Sequence, residues 1–206
     1  MSMVVKSNSP RLNKIRQVLK SQHGILLTSD LTNFNIPRTY LSLLEQSGEI
    51  ERVSRGVYRA AATFIEDELF SFQARYKSSI YSHETALYLH DLTDRSPLSY
   101  SISVPSGYHS TSLNKSGNKI FYVNRNLFKL GVISKKTPHG NEIRTTNLER
   151  TMCDILRSRN QIDIQIINVA LKRYVGKKEG NLDLLYSYAK QFGIQKFVRE
   201  YIEILL

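Results

Sequence analysis

Arginines surround a predicted β-hairpin turn early in the chain, at Arg52, Arg55 and Arg59. Apolar residues alternate over residues 49–54 and 57–60, which predicts two short strands joined by Arg55 and Gly56. Gly56 can adopt the positive φ angle that a tight hairpin requires. Because guanidinium groups pair well with phosphate oxygens, the hairpin is predicted to contact backbone phosphates or to enter a minor groove. Arginines on an ordinary exposed hairpin are the alternative interpretation.

A predicted helix just before this hairpin carries short hydrogen-bonding side chains on one side. It opens at Ile36-Pro37, since proline fits the first helical position, and ends before Gly48. A helical projection gives it an inward side of Pro37, Tyr40, Leu41 and Leu44. Its outward side has residue types that suit base edges and phosphates in a major groove, namely Arg38, Thr39, Ser42 and Gln46. The same composition also fits a solvated helix face.

Two histidine–carboxylate dipeptides, His83-Glu84 and His90-Asp91, are the candidates for enzymatic chemistry. Their histidines are two helical turns apart, whereas the His-Glu-x-x-His metal motif needs one turn. We therefore expect a capping or surface position for His83 and a surface or hydrogen-bonded position for His90. The sequence has no P-loop and no Gly-x-Ser-x-Gly motif, so we predict no catalytic residue, metal ion or cofactor. An enzyme acting on nucleic acid, with a metal held by both histidines, remains an alternative.

A later predicted helix, residues 148–156, contains the only cysteine and a spaced charge pair. With one cysteine the chain has no internal disulfide, and Cys153 is predicted to be a packing residue rather than a nucleophile. Arg150 and Asp154 are four residues apart, so they can form a salt bridge. Such pairs usually lie on the surface and contribute a few tenths of a kcal/mol.

Two further helices are predicted before the helix and hairpin described above. Ser9 is predicted to cap a first helix with Pro10 at its first position. The inward face of that helix is Leu12, Ile15, Val18 and Leu19, and its polar side includes Arg11 and Lys14. Thr28 or Ser29 is predicted to cap a short second helix. Three helices followed by a hairpin predict a winged helix-turn-helix over residues 1–62, with Arg11 and Lys14 added to its candidate DNA-binding residues.

Residues 63–206 are predicted to form an α+β domain with a small sheet and a helical C-terminal part. A helix over residues 64–78, with Phe64 and Leu69 among its apolar positions, joins it to the hairpin. Ser82 is predicted to cap the next helix, and residues 100–104 and 119–123 are predicted strands. The last 60 residues are mostly helical, with apolar positions at Leu148, Ile164, Ile167, Leu171, Leu185, Ala189, Phe197, Tyr201, Ile204 and Leu205.

The charge of the chain favours an anionic partner. Its 206 residues have a formal net charge of +11, and residues 1–60 hold nine Lys and Arg against four Asp and Glu. The much longer remainder holds twenty Lys and Arg against fourteen Asp and Glu, so the N-terminal segment is predicted to be the denser positive surface. The sequence has no apolar stretch long enough for a membrane helix or a signal peptide, so a cytoplasmic location is expected.

Three sequence segments resemble one known family. The first is Gly48-Glu-Ile-Glu-Arg-Val-Ser-Arg-Gly-Val-Tyr-Arg59, which follows a short helix-turn-helix. The others match in order and spacing and are Ser82-His-Glu-Thr-Ala-Leu-Tyr-Leu-His-Asp-Leu92 and Thr146-Asn-Leu-Glu-Arg-Thr-Met-Cys-Asp-Ile-Leu156. On these segments, which span nearly the whole chain, the protein is similar to AbiEi-type antitoxins of bacterial type IV toxin–antitoxin and phage abortive-infection systems.

The resemblance implies a DNA-binding antitoxin that represses its own operon at an operator with inverted repeats. The functional partner would be a nucleotidyltransferase toxin, countered by the second domain without a stable complex. The chain lacks a heptad zipper, so we expect a monomer in solution that pairs on DNA. A structural or partner-facing network is expected in the second domain at Ser82, His83, His90, Asp91, Arg150 and Asp154. The alternative is a protein-interaction module that binds the toxin directly, with incidental DNA contact.

Overall fold

The computed structural model describes residues 9–62 and 67–203. These residues form a mixed α+β fold with two small sheets, which confirms the predicted fold class. They divide into two compact units, one within residues 1–77 and 136–143 and the other within residues 78–135 and 144–206. None of the helices described is both long and apolar enough to cross a membrane.

The first unit contains the predicted order of three helices and a hairpin. Its elements are α1 (Pro10–Ser21), β1 (Ile25–Leu27), α2 (Thr28–Asn33), α3 (Thr39–Gln46), β2 (Ile50–Ser54), β3 (Val57–Ala60) and α4 (Glu68–Arg75). The three strands form one antiparallel sheet in the order β1-β3-β2. This arrangement is a winged helix-turn-helix, in which β2, β3 and their turn form the wing.

Apolar side chains at helical spacing build the core of this unit. The predicted inward face of α1 is buried, and it packs with Leu31 of α2 and with Leu41 and Leu44 of α3. Burying each such side chain contributes about 1.5–3 kcal/mol. The helices that carry the exposed polar residues are therefore held by a continuous core.

Two local predictions in this unit are wrong, and one strand has no counterpart among the predicted elements. Residues Ile25–Leu27 form a strand, because they pair with β3 from far along the chain and local periodicity does not show such pairing. The N-cap of α2 is Leu27 rather than Thr28 or Ser29, and its backbone N–H donates to the Asp30 carboxylate at 2.8 Å. Helix α3 begins at Thr39, so Pro37 precedes it and is exposed rather than inward.

Helix α4 is shorter than the predicted helix over residues 64–78, and Phe64 lies outside the described residues. Its N-cap is the buried Asp67, whose carboxylate accepts hydrogen bonds from the Phe70 backbone at 3.1 Å and the Asn141 amide at 2.9 Å. The Thr137 hydroxyl donates to the same carboxylate. These bonds fix residues 136–143 in the first unit, which also extends past residue 62. A functional boundary between residues 62 and 63 stays a prediction.

The rest of the described chain forms a five-stranded sheet and a group of helices. Its elements are β4 (Ile80–Tyr81), α5 (His83–Leu89), β5 (Ser101–Pro105), α6 (Thr111–Asn114), β6 (Lys119–Val123), β7 (Val132–Lys136), β8 (Glu142–Thr146), α7 (Leu148–Arg157), α8 (Ile164–Val175), α9 (Leu182–Phe192) and α10 (Gln195–Glu203). The sheet order is β6-β5-β4-β8-β7. Strands β5 and β6 run parallel, as do β4 and β8, whereas β4 and β5 are antiparallel.

Helix α7 lies at the centre of the second unit and packs against α5, α8, α9 and α10. All of its residues from 149 to 156 are buried, including the charged ones. The predicted apolar positions Ile167, Leu171, Leu185 and Ala189 are buried as well. Ile164 is 51% exposed, because it is the first residue of α8, so its predicted core position is wrong. Ile204 and Leu205 lie outside the described residues.

Candidate nucleic-acid interface

Helix α3 presents the polar face that its sequence predicts. The core contacts of Leu41 and Leu44 fix its rotation, and the four residues on the opposite side are all exposed, at Arg38, Thr39, Ser42 and Gln46. One guanidinium, two hydroxyls and one amide give this face both donors and acceptors for hydrogen bonds. Glu45 is also exposed, and it is the only acidic residue of the helix.

Two basic residues of α1 lie against the helix-turn-helix. The Lys14 ammonium lies 4.6 Å from the ring centroid of Phe34, which is 46% exposed in the turn between α2 and α3. Hydrogen bonding to Arg11, and a second bond to Ser9, lower the pKa of Tyr40 in the first turn of α3. Arg11 and Lys14 therefore add positive charge beside the start of α3. Ser9 occupies the predicted N-cap, but its side chain makes no capping hydrogen bond.

The wing is a short hairpin whose turn is fixed against α2. Ser54 pairs with Val57, so Arg55 and Gly56 form the turn, and Gly56 has a φ of +79°. The Thr28 backbone N–H donates to the Gly56 carbonyl at 2.9 Å, and a Cβ at Gly56 would lie 3.4 Å from the Thr28 Oγ1. Glycine satisfies both the positive φ and this close approach. Arg55 is thus held beside the first residue of α2.

The three wing arginines differ in their surroundings. Arg59 lies opposite Glu51 on the neighbouring strand, and its Nη2 donates to the Glu51 carboxylate at 3.0 Å. Arg52 and Arg55 are exposed, and their guanidinium groups have no ion-pair or hydrogen-bond partner within residues 9–62 and 67–203. Two of the three predicted phosphate ligands are therefore unpaired, and the third is compensated by a carboxylate.

Most acidic side chains of the winged segment already form an ion pair or a hydrogen bond. Glu49 forms a bidentate pair with Arg16 of α1, with both N–O distances at 3.0 Å, and this pair lowers the pKa of Glu49. Glu51 pairs with Arg59, and Asp30 accepts from the Leu27 backbone. Sequence reasoning missed the Arg16–Glu49 pair, although the opposite charges of these residues signalled it. The positive charge left uncompensated is concentrated on α1, the start of α3 and the wing.

In the second unit, His83 is fully buried rather than at the surface, so that prediction is wrong. Its ring stacks on Phe121 with centroids 3.5 Å apart. Its Nδ1 lies 2.8 Å from the Ser82 Oγ and its Nε2 lies 3.0 Å from the Ser158 Oγ. Ser103 donates to the Ser82 hydroxyl at 2.9 Å, so Ser82 is assigned as donor to Nδ1 and Nε2–H as donor to Ser158. Ser82 occupies the N-cap of α5 but makes no capping bond.

His90 matches its hydrogen-bonded prediction, because its Nε2 lies 2.6 Å from the Thr146 carbonyl oxygen and must donate to it. Burial lowers the pKa of His90. Its neighbour Asp91 is exposed and has a φ of +57°.

Across residues 9–62 and 67–203, no three His, Cys, Asp or Glu side chains are grouped so that they could hold a metal ion. A metal at His83 would have to displace one of its two serine hydrogen bonds.

The Arg150–Asp154 pair is buried, so the expectation of a surface salt bridge is wrong. The Arg150 Nε lies 3.0 Å from both carboxylate oxygens of Asp154, and both side chains are 0% exposed. The Arg150 Nη1 donates to the Leu127 and Leu130 carbonyls at 3.0 and 2.7 Å. The guanidinium carbon lies 4.5 Å from the Phe192 ring centroid. The pair joins α7 to the loop before β7, which a helical projection of α7 alone does not show.

Cys153 is buried beside this pair, as its predicted packing role requires. Burial raises the pKa of its thiol to about 12. The thiolate is therefore scarce at neutral pH, and the residue is a poor nucleophile.

The buried His83 makes the stability of the second unit depend on pH. Burial lowers its pKa from 6.5 to about 4, so the folded protein keeps it neutral where the unfolded chain takes up a proton. This contribution to stability is complete above pH 6.5 and is lost as the pH falls to 4, which amounts to about 3 kcal/mol. We expect His83→Asn to reduce the change in the free energy of unfolding between pH 6.5 and pH 4. Asparagine tolerates the φ of +47° at this position.

The measurement is urea unfolding at a series of pH values. The exposed His109 provides the matched control, and His109→Asn is expected to leave the acid dependence unchanged. An unaltered dependence in His83→Asn would contradict the assignment to His83.

One comparison with known proteins concerns the winged domain. Residues 13–61 match the family model described as "Transcriptional regulator, AbiEi antitoxin". A comparison with curated proteins finds no match. Among solved structures, the crystal structure of the RV2827C protein from Mycobacterium tuberculosis is similar over 95% of this chain and 81% of its own, with 11% identity and a TM-score of 0.47.

Proposed function

Because residues 13–61 belong to the AbiEi antitoxin family of transcriptional regulators, we propose that the protein represses its own toxin–antitoxin operon. It does so by binding an operator with inverted repeats. The observation that carries this proposal is the pair of unpaired guanidinium groups on the wing, at Arg52 and Arg55, next to the exposed polar face of α3 in the sequence and in the same unit. Such a protein acts where the chromosome is, in the cytoplasm.

Helix α3 reads the operator in the major groove. Its amide and hydroxyl side chains, Gln46, Ser42 and Thr39, hydrogen-bond base edges, and Arg38 binds a guanine or a phosphate. The core contacts of α3 support this role, because they fix the exposed face before DNA arrives. A reading surface that is already ordered loses little conformational entropy on binding.

The wing and α1 hold the phosphate backbone. Arg52 and Arg55 make the principal wing contacts, and Arg59 contributes less because Glu51 already neutralises it. Arg11 and Lys14 bind phosphates beside the start of α3, where their contacts with Tyr40 and Phe34 position them. These contacts are independent of sequence and make the affinity depend on salt.

Two copies bind one operator, since inverted repeats present two equivalent half-sites. The free protein is a monomer, and sedimentation without DNA is the direct check. A stable dimer in that measurement would overturn this part of the proposal.

The second unit counters a nucleotidyltransferase toxin of a type IV phage-defence system without forming a stable complex. Four of its candidate residues, Ser82, His83, Arg150 and Asp154, are fully buried, and His90 is nearly so. They therefore act by holding the fold, and of the six candidates Asp91 is the exposed one. The buried residues therefore stabilise the second unit, and exposed residues such as Asp91 form the surface that acts on the toxin pathway.

The test is a titration of the purified protein against the DNA upstream of its own gene, with a scrambled competitor, at two salt concentrations. Tight binding that resists the competitor and weakens with salt is expected, with a salt slope of about 0.9 for each phosphate contacted. Equal affinity for the scrambled fragment would favour the alternative, a module that binds the toxin directly. Co-purification with the untagged neighbouring gene product then separates the two.

A further inference from the structure

A dense run of positively charged residues lies in the second unit. Between Arg95 and Lys135 the chain has six Lys and Arg residues and no Asp or Glu over 41 residues, all of them within that unit. Residues 1–60 carry a smaller net charge over a longer stretch. A second anionic partner is indicated by this charge.

Strand β6 brings part of this charge to the edge of the sheet. It is the outermost strand in the order β6-β5-β4-β8-β7. Phe121 stacks inward on His83, whereas Lys119 is exposed and Tyr122 is 51% exposed. Lys119 and Tyr122 are three residues apart, so their side chains leave the strand on opposite faces of the sheet. A ligand with both flat rings and negative charge can contact both by crossing the outer edge of β6.

The far end of β6 adds an arginine, a tyrosine and a histidine. Because β5 and β6 are parallel, with Pro105 opposite Val123, the segments that follow the two strands lie together. The Arg125 Nε donates to the Ser106 carbonyl at 2.9 Å, and its Nη2 would lie 3.1 Å from a Cβ at Gly107. This contact holds the Arg125 side chain next to the turn that leads to Tyr108 and His109.

A cavity of about 340 Å³ adjoins the near end of β6. Lys119 lines it and pairs with Glu84 at 2.6 Å. The remaining walls supply a second cation, three hydroxyls and apolar surface, from Arg95, Thr93, Ser96, Ser99, Pro97, Leu98 and Ile166. The volume lies within the range of small-molecule pockets and can hold one nucleoside.

We propose that this surface, the β6 track of residues 93–99, 106–109 and 119–125, binds single-stranded RNA. Strand β6 spans about 16 Å, the length of about two to three nucleotides. One base enters the cavity, where the serine and threonine hydroxyls meet the ribose 2′-hydroxyl, and another stacks on Tyr122. Arg125 is the principal phosphate ligand, and Lys119 and Arg95 contribute less because Glu84 and Asp163 already pair with them. A duplex buries its base faces, so Tyr122 selects unpaired bases.

Fluorescence anisotropy with the full chain and a labelled oligouridylate of about 12 nucleotides tests the proposal. We expect binding that weakens with salt, and an affinity about tenfold lower for Tyr122→Ala. The matched control is Tyr88→Ala, which removes a tyrosine that is 43% exposed on α5, outside the track, and should leave the affinity unchanged. The wing variant Arg52→Glu with Arg55→Glu should also bind normally, since the track is independent of the operator surface.

Four results would overturn the proposal. They are an absence of binding at low salt, equal losses for Tyr122→Ala and Tyr88→Ala, loss of binding in the wing variant, and equal or tighter binding of oligodeoxythymidylate or duplex DNA. Circular dichroism of each variant establishes that a lower affinity reflects the missing ring rather than a lost fold.

Discussion

Reversing two wing charges together, Arg52→Glu with Arg55→Glu, is expected to lower operator affinity by at least about 100-fold, or about 2.7 kcal/mol. Both side chains are exposed and have no partner within the described residues, so the substitutions cost little stability. They replace two phosphate contacts with two repulsions, and the salt slope should decrease by about 2. Repression should fail while the antitoxic activity proposed for the second unit largely persists.

Anisotropy with operator DNA measures the affinity, and a reporter fused to the promoter measures repression. The matched control is Lys196→Glu with Arg199→Glu, which makes the same charge change at two exposed positions of α10. If both double variants lost the same affinity, net charge rather than the wing would explain the binding. Unchanged operator binding in the wing variant would contradict the proposed interface.

The second large effect is expected from Asp154→Leu, which should destabilise the second unit by about 3–5 kcal/mol. The substitution leaves the Arg150 guanidinium buried without its counter-charge. Two backbone carbonyls and the Phe192 ring still contact it, but they carry no full negative charge. Uncompensated burial of a charge costs far more than the pair contributes.

A double-mutant cycle with Arg150→Met checks the cause. The double variant should recover part of the loss, because the buried charge is gone, although the Leu127 and Leu130 carbonyls lose their donor. Urea unfolding gives the free energies, and Glu200→Ala in an exposed pair of α10 should change them by less than about 0.5 kcal/mol. A loss below about 1 kcal/mol for Asp154→Leu would show that the pair is not buried in solution.

The winged domain could be predicted from sequence because its signals are local. Pro10, Gly56 and the spacing of apolar residues in α1 specify helix start, turn and inward face without reference to distant residues. Strand β1 could not be predicted, since its three residues become a strand only by pairing with β3. The charge compensation of Arg59 by Glu51 likewise depends on the strand register.

The second unit shows where sequence patterns fail. The spacing of Arg150 and Asp154 correctly predicted that they can pair, but it could not show that the loop before β7 covers the polar side of α7. His83 was expected at the surface because polar residues usually lie there. Three serines from separate positions, Ser82, Ser103 and Ser158, provide its hydrogen-bonding environment instead, and only the folded chain brings them together.

The attachment of residues 136–143 to the first unit has a consequence for synthesis on the ribosome. Asp67 obtains its Thr137 and Asn141 partners only after about half of the second unit has been translated. At about 5–20 residues per second, roughly 4–15 seconds separate the two parts of this contact. During that interval the nascent winged domain already has α1, α3 and the wing, but the carboxylate that will hold residues 136–143 still faces water.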